Sequence, residues 1–253
     1  VHLTGQPCDM QGIHELAQQY GFMVVEDASH AIGGCYQDQP IGNCAYSDVT
    51  VFSFHPVKIV TTAEGGMALT NDGNLATKMA LYRNHGITRD PALMTHASDG
   101  PWYYQQISLG YNYRMTNMQA AIGFSQVQNL NKILKMRNKQ LLTYNKYLKN
   151  IKDIRIRSFK DWCTPVHWLM TITIKKKNLR NKILKYLYKN KIDARPMINP
   201  VSHALHFRNI FRNEKFTNSE NISANSIHLP SSTNLKEKQI KYICKKIDRF
   251  FKN

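Results

Sequence analysis

The chain has 253 residues and 42% hydrophobic content, which suits one large core or a large core beside a smaller one; its longest uncharged apolar-leaning run in the second half, residues 163–174, is too short to span a bilayer, and residues 1–12 carry no secretory signal. Five scattered cysteines (8, 35, 44, 163, 244), odd in number and without metal-ligand spacing, argue against a disulfide framework and a metal site, and for reduced thiols in a cytoplasm. The formal charge of +17 is unevenly divided: residues 1–130 carry five basic against ten acidic side chains, residues 131–253 carry 29 against seven.

In chain order, Asp9 can cap a helix running to Tyr20, with Met10, Ile13, Leu16, Ala17 and Tyr20 on one face and Gly21 as the stop. Residues 22–25 then form a short, wholly apolar run, the kind of strand that is buried on both faces of a parallel sheet. Further strands are expected at residues 48–54 and 66–70, and a helix from Asp72 to about Asn84 that ends at Gly86. This alternation predicts an α/β sheet covered on both sides. Residues 90–115 are irregular and rich in aromatics, and a long helix, bent near its middle, is expected from about Thr116 to Lys149.

The character changes after residue 150, where we place the boundary between a large domain (1–150) and a small α+β one (151–253). A strand is expected over 166–174, an amphipathic helix over 179–190, an extended segment over 192–196 and a last helix over 236–251. The lysines of this half fall in helical patterns without interleaved stacking aromatics, so a solvated surface is expected, with neither nucleic acid nor membrane as partner.

Chemistry concentrates in two segments. Asp27 ends the apolar run within Glu26-Asp27-Ala28-Ser29-His30-Ala31, and open α/β sheets bind ligands at the carboxyl ends of their strands. Lys58 stands 31 positions later in Ser53-Phe54-His55-Pro56-Val57-Lys58-Ile59-Val60, flanked by apolar neighbours that would lower its pKa and make the amine nucleophilic. A strand-end acid and a lone desolvated lysine are the parts a pyridoxal phosphate enzyme needs: the lysine holds the cofactor as an imine, and the acid keeps the ring nitrogen protonated. His30 and Ser53 are placed to reach the cofactor's ring oxygen and its phosphate. Taken singly, each residue has a plainer reading: a surface lysine, a capping aspartate, a packed histidine, a strand serine.

Together these residues resemble the DegT/DnrJ-type sugar aminotransferases. The likeness extends through Thr61-Thr62-Ala63-Glu64-Gly65-Gly66-Met67, Arg83-Asn84-His85-Gly86, Gly110-Tyr111-Asn112-Tyr113-Arg114-Met115 and Gln119-Ala120-Ala121-Ile122-Gly123. The form of the lysine segment is most similar to C4 aminotransferases acting on UDP-linked 4-keto-6-deoxy-N-acetylhexosamines in pseudaminic-acid-type synthesis. The resemblance implies an aspartate-aminotransferase-like large domain of PLP fold type I, glutamate as amino donor and a keto nucleotide sugar as acceptor. It makes Lys58 the cofactor lysine and proton carrier, Asp27 the pyridine partner, His30 the ring-oxygen contact and Ser53 a phosphate ligand. Asn112 would reach the phosphate of a neighbouring subunit in a homodimer. His55, Arg114 and Arg195 are candidate substrate contacts, although Arg195 and residues 227–232 look more like relatives acting on other nucleotide sugars. The resemblance also implies an N-terminal segment before residue 1. Residues 1–5 read as the tail of a strand, and a truncated remnant, or a subunit completed by a separate chain, is the alternative reading. A dehydratase of the same fold is disfavoured, because its relatives carry His in place of the lysine.

Overall fold

The computed structural model describes residues 1–207 and 209–252. They pack as two compact units: Val1–Leu130 with Trp162–Val166, and Asn131–Asp161 with His167–Asn253. The division therefore lies near residue 130 rather than 150. The reason is the helix leading up to the expected boundary, which turns Tyr144 and Leu148 into the core of the second unit.

In the first unit, α1 (Met10–Tyr20) begins where the Asp9 carboxylate accepts from the Gly12 amide at 3.5 Å. It stops at Gly21, whose φ of 69° is a left-handed turn. Met10 and Ala17 are buried as expected, but Leu16 and Tyr20 are exposed. The first strand also departs from expectation. β1 is Val25–Asp27, and Phe22, Met23 and Val25 are exposed rather than buried. β2 (Cys35–Tyr36) and β3 (Gln39–Pro40) form a small hairpin. β4 (Val49–Ser53) runs parallel to β1 and antiparallel to β5 (Gly66–Leu69).

Burial alternates along this sheet. Glu26, Thr50 and Phe52 are buried, whereas Val25, Asp27, Val49, Val51 and Ser53 share the other, more open face. A sheet covered on both faces is thus not what the described residues form. α2 (Gly73–Arg83) starts where the Asp72 carboxylate accepts from the amides of Asn74 and Leu75 at 2.7 and 3.1 Å. β6 (Ile87–Thr88) and β7 (Gln105–Gln106) pair within the irregular region. α3 (Asn117–Gln128) opens with a Thr116–Gln119 capping box. Residues 1–5 are not a strand tail: Leu3–Gly5 is a 3-10 turn with Thr4 at φ 57°, and the His2 amide donates to the Asp27 carbonyl at 3.0 Å.

α4 (Leu130–Leu148) follows α3 after a break at Asn129, close to the expected bend. β8 (Ile154–Ile156) belongs to the second unit, and β9 (Cys163–Thr164) returns to pair with β2. β10 (Met170–Ile174) starts later than expected, because Val166 is held in the first unit, where its amide donates a hydrogen bond to the Gly5 carbonyl at 2.8 Å. α5 (Arg180–Lys189), β11 (Arg195–Pro196), α6 (Thr217–Asn225), β12 (Ser226–Leu229) and α7 (Glu237–Lys252) complete the chain. The second unit's sheet is antiparallel, in the order β11-β12-β10-β8. α4, α5 and α7 cover it, burying Tyr144, Leu148, Ile183, Leu187, Ile240 and Ile247 against Ile172 and Ile227.

Candidate active site

Asp27 and Ser53 end two neighbouring parallel strands. The register sets Asp27 beside Val51, so Ser53 lies two residues further on and on the same open face. Asp27 Oδ1 accepts from the Ser29 amide at 3.0 Å. Burial pushes this carboxyl up, but the Ser29 hydrogen bonds and the nearby charges of His30 and the N-terminus outweigh it and hold the acid below its ordinary range. His30 is fixed by the Thr4 amide, which donates to its Nδ1 at 3.3 Å.

Lys58 lies in the loop joining β4 to β5. The loop's base is pinned where the Phe54 amide donates to the Gly65 carbonyl and the Thr62 amide to the Phe54 carbonyl, at 2.9 and 3.0 Å. A tight turn, Lys58 amide to His55 carbonyl at 2.9 Å, sets the lysine's own backbone. Ile59 and Val60 beside it are buried. Burial holds the amine below its ordinary pKa, and the Asp27 carboxylate partly restores it. Asp27 thus interacts with both His30 and Lys58, with Ser53 at the end of the adjoining strand.

The remaining predicted residues lie elsewhere. His55 is exposed, 3.9 Å from Glu64. Asn112 and Arg114 are exposed at the end of α2: Asn112 bridges to Asn84, and Arg114 Nη1 donates to Asn84 Oδ1 at 2.6 Å. Arg195 belongs to the second unit, where Asp193 meets it through both carboxylate oxygens, at 2.8 and 3.1 Å.

Two features escaped sequence reasoning. Thr62, fully buried, donates to the Glu64 carbonyl at 2.8 Å, and Gln119 Nε2 donates to the same carbonyl at 3.0 Å, so α3 braces the lysine loop. Beneath the open face, Glu26 accepts from Thr50 and meets His2 Nε2 at 2.9 Å. The alternation of Glu26 and Asp27 onto opposite faces was the available signal: one acid serves the packing, the other faces the site.

A covalently held aldehyde cofactor needs an amine that sheds its proton easily and an ionised acid for its ring nitrogen. Lys58 and Asp27 supply both, so these residues fit pyridoxal phosphate. Fold and site define a PLP protein of fold type I. The model of the DegT/DnrJ/EryC1/StrS aminotransferase family matches residues 1–248, and the chain belongs to that family.

The chain is 31% identical over 251 residues to GDP-perosamine synthase of Escherichia coli O157:H7, covering 99% of this chain and 64% of that protein. It is 36% identical over 163 residues to UDP-4-amino-4,6-dideoxy-N-acetyl-beta-L-altrosamine transaminase of Campylobacter jejuni, covering 63% and 40%. Helicobacter pylori PseC, an aminotransferase involved in the biosynthesis of pseudoaminic acid, superposes with a TM-score of 0.88 at 25% identity, over 99% of this chain and 65% of that one. The chain thus spans slightly less than two thirds of the relatives that it matches from end to end.

Proposed function

We propose that the chain carries the cofactor site of an aminotransferase that moves an amino group from glutamate to a keto nucleotide sugar. The sugar is a 4-keto-6-deoxyhexose, and a UDP-linked N-acetylhexosamine aminated at C4 is the reading the lysine segment favours. The observation that carries the proposal is the electrostatic coupling of Lys58, in the β4–β5 loop, to Asp27 at the end of β1. Bound pyridoxal phosphate would supply the electron sink that lets a proton leave the substrate carbon.

The chain's own residues do the rest. Lys58 Nζ would hold the cofactor and, as a free amine, would carry the proton to and from the substrate carbon. Asp27 holds a proton on the ring nitrogen, His30 orients the ring oxygen and Ser53 the phosphate. Asn112 reaches the phosphate of a second copy, so the working form is a homodimer in the cytoplasm. His55, Arg114 and Arg195 orient the substrate's anionic groups, Arg195 after exchanging Asp193 for a phosphate or carboxylate.

Purified chain incubated with pyridoxal phosphate, reduced with borohydride and digested should yield one labelled peptide, bearing the label at Lys58. Glutamate added before reduction should abolish the label. Absence of label, or label on another lysine, would overturn the assignment.

A further inference from the structure

We infer that the outer side of the α4–α7–α5 helix layer is a docking surface for an anionic lipid bilayer. The three helices lie side by side over one sheet. Tyr147 on α4 donates to Glu237 on α7 at 3.3 Å, and Tyr186 on α5 packs on Phe250 of α7 with ring centroids 5.4 Å apart. Their inner faces fill one apolar core, and their lysines lie on the other side, exposed except for the half-buried Lys246; Arg137 and Arg180 instead turn to the carbonyls of His167, Trp168 and Ser223.

The layer is nearly one sign. On the outer side α4 carries Lys132, Lys135, Lys139 and Lys146 with no acid, and α5 carries Lys182, Lys185 and Lys189 with no acid. α7 carries Lys238, Lys241, Lys245, Lys246, Arg249 and Lys252 against Glu237 and Asp248, and Asp248 is held by Lys252 at 2.6 Å. Seven carboxylates in residues 131–253 cannot neutralise 29 cations.

Folding does not ask for this. Like charges four apart, as at Lys241, Lys245 and Arg249 or at Lys185 and Lys189, weaken a helix. A surface built only for solubility mixes both signs. The cations are also mostly lysines, 21 against eight arginines in residues 131–253. Compact hydrated ammonium groups suit a diffuse field of headgroup phosphates better than bidentate recognition of one group.

The apolar side chains left outside complete the pattern. Leu142, Tyr188 and Tyr242 are exposed on α4, α5 and α7 respectively, and Lys246 lies over the Tyr242 ring. Tyrosines among lysines are the composition of a surface lying at the headgroup level. No described helix is long and apolar enough to cross a membrane, so contact is peripheral. The sequence alone had favoured a merely solvated surface; the helix layer gathers those lysines on one side of one unit.

The test is cosedimentation of the full chain with vesicles of phosphatidylcholine alone or mixed with phosphatidylglycerol. Binding is expected only with the anionic lipid, and salt should abolish it. Lys241→Gln with Lys245→Gln and Arg249→Gln should weaken it by about a hundredfold. Lys182→Gln with Lys185→Gln and Lys189→Gln, a second triple on another helix, should weaken it similarly. Lys78→Gln on α2 should leave it unchanged. Circular dichroism verifies that each variant keeps its helices. Equal binding to neutral vesicles, no binding at low salt, or tighter binding to duplex DNA of matched charge would each overturn the inference.

Discussion

Asp27 and Lys58 oppose one another's environments: burial lowers the lysine's pKa, and the aspartate's charge raises it. Removing that charge by Asp27→Asn should lower the amine's pKa further. The check is the rate of Lys58 modification by an amine reagent as a function of pH, whose midpoint should fall in the variant. Asp27→Asn should still retain cofactor at Lys58 but lose amino transfer by more than about a hundredfold. Lys58→Ala should lose the covalent attachment altogether, and turnover retained in that variant would sink its assignment.

The buried His2–Glu26 pair should set one part of the stability profile. His2 is 1% exposed and Glu26 8%. Burial lowers the histidine's pKa, but hydrogen bonding of the imidazole to the Cys8 side chain and the Glu26 carboxylate outweighs it, and the net direction is up. Glu26 ends below its ordinary value, because His2 and Thr50 outweigh its own burial. A raised histidine stabilises fully below its unfolded pKa, about 6.5, and loses that as pH rises through the folded value. A lowered glutamate stabilises fully above its unfolded pKa, about 4.3, and loses that as pH falls through the folded value. The pair should therefore contribute most between about pH 4.3 and 6.5. Glu26→Ala should cost about 3–5 kcal/mol there, read from urea unfolding, and should flatten both limbs.

Much of this was legible before the fold was known. Asp9, Gly21, Asp72 and Thr116 carry helix-end chemistry that local sequence alone specifies, and the starts of the three helices they bound were read correctly to within a residue or two. The positions of Asp27 and Ser53 at strand ends and of Lys58 in the following loop were legible, because each leaves a short polar signal in an apolar run. What was hidden depends on partners far along the chain. The two-residue strand β9 pairs with β2, whose residues lie at least 127 positions earlier in the sequence, and neither strand has a periodicity to read. The exposure of Val25 could not be inferred either, since the apolar run says nothing about which face the rest of the fold covers. Gln119 looked like part of a family pattern, and only the fold shows that it braces the lysine loop.

Gly86 should tolerate no side chain. Its φ is +68°, and a Cβ there would stand 1.8 Å from the Ser108 carbonyl oxygen. The same turn follows α2 and adjoins the segment bearing Asn112 and Arg114: the Ile107 amide donates to the Gly86 carbonyl, and the His85 amide to the Tyr111 carbonyl, both at 2.9 Å. Gly86→Ala should cost more than about 1 kcal/mol. It should also speed amide exchange at Ile107 and Tyr111, which separates displacement of this segment from a uniform loss of stability.

His228 should give the second unit an acid limit. It is 7% exposed, its Nδ1 bonds Thr171 Oγ1 at 3.0 Å, and its buried Nε2 has no partner among the described residues. Burial pushes its pKa down to about 4. Across the strand pair it faces Arg195, which would repel a second cation. A histidine depressed in the folded state stabilises fully above its unfolded pKa and loses that as pH falls toward the folded one, because the unfolded chain takes up the proton first. Between about pH 6.5 and 4 the loss should approach about 3 kcal/mol. His228→Asn retains a polar group for Thr171 and cannot take up that proton. Its urea midpoint at neutral pH should fall only modestly, while its decline from pH 6.5 to 4 should be visibly shallower than that of the parent chain. An unchanged slope would place the acid limit in another group.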